Sequence, residues 1–255
     1  MIAIIDYGMG NLRSVSKAFE AVGHQAVVTR EARVIANASH VVLPGVGAFG
    51  DCMANLERYE LIAPIYSAVQ TGKPFLGICL GLQLLFTESE EFGTHKGLGI
   101  IPGRVKKFVL DPSLKVPHMG WNDVRPRSSD SLFTGIEAPR YYFLHSYYFV
   151  PEREEDVLAT ASYGGDFTAA IRKDHLFACQ FHPEKSQAVG LRILRKRTKR
   201  KNRYQQKSRS QVSQYRHASR SEIVSAITMT SSSRQSNDPT CTRIANCPST
   251  LVCVR

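Results

Sequence analysis

The sequence predicts an α/β fold: a mostly parallel central sheet flanked by helices, with an antiparallel extension, ending in a tail too polar to join the core. Three observations predict it. Short apolar runs that do not alternate with polar residues recur through residues 1–194, as strands buried on both faces require. Between them lie stretches with apolar residues three and four apart, and alternation of the two patterns belongs to parallel βαβ units. Later, strand-like runs follow one another without intervening helices, which requires antiparallel pairing.

Taken in order, Ile2–Ile5 is a buried strand that stops at Asp6 and Gly8. Asn11 is placed to cap a helix through Val22, with Leu12, Val15, Phe19 and Val22 on one face and Gly23 ending it. Val41–Leu43 is the next strand, broken by Pro44 and Gly45. A helical stretch runs through Val69 to Gly72, Pro74–Ile78 is a third strand, and Leu80–Phe86 is helical. The strand-rich part comprises Tyr141–Val150, Val157–Ala161, Thr168–Ile171 and Leu176–Phe181. A last helix begins near Ser186 and carries Val189, Leu191, Ile193 and Leu194.

The charge divides the chain in two. Residues 1–194 hold 19 Lys and Arg against 20 Asp and Glu, whereas residues 195–255 hold 14 against 2, so the +11 of the whole chain lies in the tail. That tail has no Gly, Phe or Trp and one leucine, Leu251, so it buries too little apolar surface to offset its ordering entropy and is expected to be disordered. The domains expected are 1–194, folded, and 195–255, a basic Ser/Arg-rich appendage. Nothing apolar follows Leu194 to continue the inner face of the last helix. A shifted reading frame or fusion beyond that point explains this better than a genuine basic extension.

The first residues carry no basic segment, and no stretch of about 18 apolar residues occurs, so a soluble cytoplasmic protein is expected. Cys52, Cys79 and Cys179 are scattered through the core and read as free thiols. No cofactor or metal is expected. His24, His40, His95 and His175 belong to no cluster with ligand spacing, and Cys241, Cys247 and Cys253 form no paired Cys-x-x-Cys.

The strongest chemical signal is Gly77-Ile-Cys79-Leu-Gly81-Leu-Gln83. A strand ends, the cysteine sits at the turn and a helix starts at once, the arrangement of a hydrolase nucleophile elbow with sulfur for oxygen. The glycines let strand and helix approach, and the helix N-terminus favours the thiolate. The alternative is a buried core cysteine. Gln180-Phe-His182-Pro-Glu184 supplies a base: His182 follows a strand and projects from a sheet edge, and Glu184 can orient the imidazole. Leu43–Gly50, glycine-rich after a strand, can aim backbone N–H groups at a developing oxyanion, and no Gly-Lys-Ser/Thr follows to make it a nucleotide loop.

Over residues 1–194 these motifs resemble a class I (triad) glutamine amidotransferase. Asp6–Asn11, Pro44–Phe49, Met119-Gly-Trp121-Asn122 and Tyr142–Tyr147 resemble, more narrowly, the glutaminase subunits of imidazole glycerol phosphate synthase. The resemblance implies that Cys79 attacks the carboxamide of glutamine, that His182 and Glu184 complete the triad, and that a glutamyl thioester is then hydrolysed. It implies oxyanion donors at Gly45, Val46, Gly47 and Leu80, and a glutamine site of Gln83, Glu91, His145, Ser146 and Tyr147, with Glu88 and Glu90 as rivals to Glu91. It also implies a heterodimer with a (β/α)8-barrel cyclase that takes the ammonia in histidine biosynthesis. Asn11, Met119, Trp121 and Asn122 would face that partner, Trp121 otherwise being a core aromatic. The competing functions are another triad amidotransferase or γ-glutamyl hydrolase, and, from another class, a nucleic-acid binder acting non-specifically through the tail, where Tyr204 and Tyr215 alone offer stacking.

Overall fold

A computed structural model of the chain describes residues 1–127, 132–136 and 139–199. Residues 195–199 of the expected disordered tail instead belong to the last helix, while residues 200–255, and the disorder and nucleic-acid expectations placed on them, lie outside the described residues. In chain order the elements are β1 (Ile2–Ile5), α1 (Leu12–Ala21), β2 (Ala26–Thr29), α2 (Ala32–Asn37), β3 (His40–Gly45), α3 (Phe49–Arg58), α4 (Ile62–Gln70), β4 (Phe75–Cys79), α5 (Leu80–Gln83) and β5 (Phe86–Ser89). There follow β6 (His95–Lys96), β7 (Ile101–Lys107), β8 (His118–Asp123), β9 (Arg125–Pro126), β10 (Arg140–His145), β11 (Tyr147–Pro151), β12 (Val157–Ser162), β13 (Asp166–Lys173), β14 (Leu176–Cys179) and α6 (Gln187–Lys199).

The main sheet has the order β2-β1-β3-β4-β14-β13-β12-β9. Pairing is parallel from β2 to β14 and antiparallel from β14 to β9, so the mixed sheet with an antiparallel extension is as expected. Consecutive residues of β1 feed opposite cores, Ala3 and Ile5 on one face, Ile2 and Ile4 on the other. A strand buried on both faces has no polar side to alternate with, which is why the run is wholly apolar. Two smaller sheets, β11-β7-β5-β6 and β10-β8, complete the described fold.

Four expectations change. β3 runs through Pro44 and Gly45 instead of stopping before them. Its pairing with β1 ends at Val42, so the missing Pro44 N–H interrupts no ladder there. The helix after Cys79 is a single turn, Leu80–Gln83, because the chain at Phe86 pairs with Ile101 as β5. Tyr141–Val150 is two strands broken at Ser146, β10 pairing with β8 and β11 with β7. The last helix reaches Lys199; inside it Arg197 is 3% exposed and its guanidinium donates to the Phe75 and His175 carbonyls. Asn11 caps α1 as expected, its side chain accepting from the Ser14 N–H. No helix among the described residues is long and apolar enough to cross a membrane.

Candidate active site

At Cys79 the chain leaves β4 and enters α5 in one residue, with φ +53° and ψ −114°. Such a backbone costs on the order of 1–3 kcal/mol and persists where packing over-determines it. Here a Cβ on Gly81 would lie 1.9 Å from the Leu43 carbonyl oxygen, and one on Gly45 would lie 2.4 Å from the Gly81 nitrogen. Glycine at both positions lets α5 sit directly on β3.

His182 follows β14, the parallel neighbour of β4, with Cys179 opposite Ile78. It therefore leaves the end of a central strand, near the other strand ends as expected, and that brings it to the same end of the sheet as Cys79. Its turn is tied down on both sides: the His182 N–H donates to the Tyr142 carbonyl at 2.9 Å, and the Ser186 hydroxyl donates to the His182 carbonyl at 2.6 Å. Glu184 Oε1 accepts from His182 Nδ1 at 2.8 Å, and the imidazole and the Cys79 sulfur line the same cavity. Burial is the largest influence on His182 and pulls its pKa down. The Cys79 sulfur and the Glu184 carboxylate together outweigh it and hold the pKa up at about 10. The other Glu184 oxygen is buried without a hydrogen-bond partner among the described residues.

Beneath the sulfur lies a buried polar network. Gln83 Nε2 donates to the Tyr147 carbonyl at 3.0 Å and to Gln180 Oε1 at 2.9 Å, and Gln180 Nε2 reaches the Cys79 sulfur at 3.6 Å. His145 Nδ1 meets the same Tyr147 carbonyl at 2.8 Å; its Nε2 meets His118 Nδ1 at 3.0 Å, and His118 Nε2 meets Asn122 Nδ2 at 3.2 Å. Since a carbonyl only accepts, His145 Nδ1 carries a proton, Nε2 accepts from His118, and His118 accepts from Asn122. Burial drives His145 down to about 3 and His118 to about 4, so both rings are neutral at neutral pH, as this chain of donors requires.

The end of β3 and the segment after it are clamped from three directions. The Tyr7 hydroxyl donates to the Pro44 carbonyl at 2.8 Å, the Cys52 thiol to the Val46 carbonyl at 3.6 Å, and the Phe49 N–H to Glu91 Oε2 at 2.7 Å. Gly47 takes φ +102°, open to glycine at no steric penalty. Leu80, first residue of α5, has an N–H with no partner inside its helix. Cys52 and Cys179 are buried thiols pushed above their usual range by desolvation, Cys52 to about 11. Cys52, Cys79 and Cys179 are all free.

A cavity of about 260 Å³ opens over the sulfur, the size of a small-metabolite site. Of the residues anticipated from sequence, Cys79, His182, Val46, Gly47, Leu80, Gln83, Glu91, His145, Ser146 and Tyr147 line it, and Glu184 stands behind His182. Gly45 does not; it is packing between β3 and α5. Among the three rival glutamates, Glu91 lines the cavity, while Glu88 pairs with Arg104 at 3.0 Å and Glu90 accepts from the Lys107 N–H at 2.6 Å. Pro117, Leu144 and Lys185 also line it and were not anticipated. Lys185 was legible one residue past Glu184. Pro117 and Leu144 come from strands and a turn whose approach leaves no local signal.

Met119 and Trp121 are 65% and 41% exposed, so Trp121 is no core aromatic. Met119 stands opposite Leu144 across the β8–β10 pair, forming an apolar patch that reaches the cavity wall. Asn122 departs from that patch: its amide turns inward to His118 and the Ser162 carbonyl. Asn11 is exposed, with its side chain engaged in the α1 cap.

A sulfur nucleophile, an imidazole whose far nitrogen is held by a carboxylate, and the backbone of Val46, Gly47 and Leu80 lining a small cavity can make and break an acyl–sulfur bond. Comparison with known proteins agrees with that chemistry. The family described as Glutamine amidotransferase class-I matches residues 3–201. The chain is 58% identical over 201 residues to imidazole glycerol phosphate synthase subunit HisH of Syntrophotalea carbinolica, covering 76% of this chain and 98% of that protein. It is 56% identical to the subunit of the same name from Geobacter metallireducens, covering 76% and 95%. Among solved structures, a glutamine amidotransferase superposes with a TM-score of 0.62 at 18% identity, covering 78% of this chain and 100% of that one, a likeness of fold.

Proposed function

The chain belongs to the class-I glutamine amidotransferase family, and we propose that it is the glutaminase subunit of an imidazole glycerol phosphate synthase, releasing ammonia from L-glutamine for a cyclase subunit in histidine biosynthesis. The observation that carries this reading is the meeting of Cys79 and the Glu184-held His182 at adjacent strand ends, beside a cavity of about 260 Å³.

In the reaction, the Cys79 sulfur attacks the carboxamide carbon, and the carbonyl oxygen takes the charge. The amides of Val46, Gly47 and Leu80 are the donors available to that oxyanion. The protonated His182 gives its proton to the nitrogen as the C–N bond breaks, so ammonia leaves and a glutamyl thioester remains. Water then adds to the thioester with His182 as base, glutamate departs and the sulfur is restored. Glu184 keeps Nδ1 protonated and Nε2 facing the sulfur throughout.

Substrate binding follows from which atoms remain unused. Both amide hydrogens of Gln83 are committed inward, so its Oε1 is left for the ligand and meets an N–H group of glutamine. Glu91, raised by burial despite the Phe49 N–H, supplies the negative charge for the α-ammonium. Ser146 and Tyr147 close the site where β10 breaks into β11. Met119, Trp121 and Leu144 form the apolar surface around the mouth, against which a (β/α)8-barrel cyclase docks to receive the ammonia.

The test is glutamate formation by the purified chain with and without added cyclase subunit, beside Cys79→Ala. Hydrolysis stimulated by the cyclase and abolished by the substitution is expected. Equal turnover in Cys79→Ala would overturn the reading.

A further inference from the structure

We propose that Gln180 is a donor to the nucleophile, its side-chain N–H holding the Cys79 sulfur as an anion before attack and again as the thioester is cleaved. The inference deepens the reading of Cys79 as nucleophile and rests on it.

The direction of this hydrogen bond follows from a carbonyl that cannot donate. The Tyr147 carbonyl faces Gln83 Nε2, so the Gln83 amide group is the donor there. Its second hydrogen points at Gln180 at 2.9 Å, so the Gln180 atom on that side must be the oxygen. The Gln180 NH₂ is thereby turned to the sulfur, at 3.6 Å. A flipped Gln180 would set two NH₂ groups against each other and an oxygen against the sulfur. Gln180 is 0% exposed and Cys79 6%, so water does not replace the contact, and in a dry site the donor counts for more.

The remaining surroundings of the sulfur agree. Gln180 donates to it at 3.6 Å and the His182 imidazole lines the same cavity; in the thiol form its own hydrogen is donated to the Leu144 carbonyl at the longer distance of 3.8 Å. Such a shell suits sulfur that accepts. Gln180 and His182 also share one segment, anchored by the Gln180 N–H on the Ala169 carbonyl at 2.9 Å and the His182 N–H on Tyr142. Donor and base are thus held to the sulfur as one unit. When sulfur bonds to carbon, its charge passes to the carbonyl oxygen and the N–H contact slackens. When water cleaves the thioester, the C–S electron pair returns to sulfur and the Gln180 N–H receives it.

The experiment follows Cys79 alkylation by iodoacetamide against pH in the full chain, read by mass spectrometry of the Cys79 peptide. Gln180→Met removes donor and acceptor at similar volume, and Gln180→Glu keeps an acceptor for Gln83 while removing the donor. In both, the pH of half-maximal alkylation is expected to rise by about one unit, with the neutral-pH rate about tenfold slower, the scale of one lost hydrogen bond to a charged atom. An unchanged midpoint in folded Gln180→Met overturns the proposal. The unsubstituted chain gives a second readout that no folding defect can blur: with ¹⁵N-glutamine labelling, the Gln180 side-chain amide resonance should move as Cys79 titrates. A resonance indifferent to that titration overturns the proposal as well. Glutamine turnover with the cyclase is scored separately. A shifted midpoint without turnover removes the amidotransferase reading and keeps Gln180 as donor; turnover without a shift does the reverse.

Discussion

The Glu91 carboxylate takes the Phe49 N–H at 2.7 Å, joining a side chain of the cavity wall to the first residue of the helix that follows the Val46-Gly47 loop. One oxygen of Glu91 thus anchors that loop while the other is left for a cationic ligand. Glu91→Gln keeps an acceptor for Phe49 and loses the charge. It is expected to lower kcat/KM for glutamine by about ten- to a hundredfold, mostly through KM, the scale of one charged hydrogen bond. Glu91→Ala, which also frees the loop, should lower kcat further. Steady-state kinetics with the cyclase present measures both.

His182 gives a pH signature with a definite sign. Its folded-state pKa of about 10 lies above the ordinary 6.5, so the folded chain binds that proton more tightly. The stabilisation from this proton is fully present below about pH 6.5 and fades as pH rises through about 10. Glu184→Gln removes one of the groups that raise it and should lower the His182 titration, followed by imidazole NMR, by about one unit or more. The stability gap between parent and variant in urea should narrow from neutral pH toward about pH 10. A gap that widened would contradict the assignment.

Gly190 bears on the same turn from the other side. A Cβ there would lie 1.9 Å from the Pro183 carbonyl oxygen, so α6 rests on the segment that carries Glu184. Gly190→Ala is expected to destabilise the chain by about 1–3 kcal/mol in chemical denaturation. Its kcat should fall with little change in KM, because Glu184 is displaced and the cavity is not.

Trp121, on the surface proposed to receive the cyclase, offers a test that separates partner binding from folding. Truncating a large aromatic at an interface centre costs about 2 kcal/mol or more of affinity, roughly thirtyfold. Trp121→Ala should weaken binding of the cyclase by that factor in calorimetry. At 41% exposure the residue contributes little to the core, so the melting temperature of the isolated chain should hold nearly constant.

Local sequence announced much of this site. A strand running up to Cys79 and a helix starting at Leu80 leave that one residue as the elbow, and His182-Pro-Glu184 places base and carboxylate two residues apart on one turn. Non-local consequences were less legible. The one-turn length of α5 depends on the pairing of Phe86 with Ile101, and the break at Ser146 on β10 and β11 having different partners. Gln180 carried no signal of its own, since its orientation is set by Gln83 and Tyr147, both distant along the chain.

By itself, the sequence determined the kinds of groups present and the backbone devices that present them: apolar runs for a doubly covered sheet, glycines where β3 and α5 touch, a thiol at a turn, an imidazole beside a carboxylate. Periodicity and steric size are properties of a few neighbouring residues, so they survive in one dimension. Tertiary structure alone decided that β14 lies beside β4, that Glu91 and not Glu88 or Glu90 lines the cavity, and that the Gln180 amide turns its NH₂ to the sulfur. Those facts depend on strand order and on the donor or acceptor character of groups brought together from far apart, which no local pattern encodes.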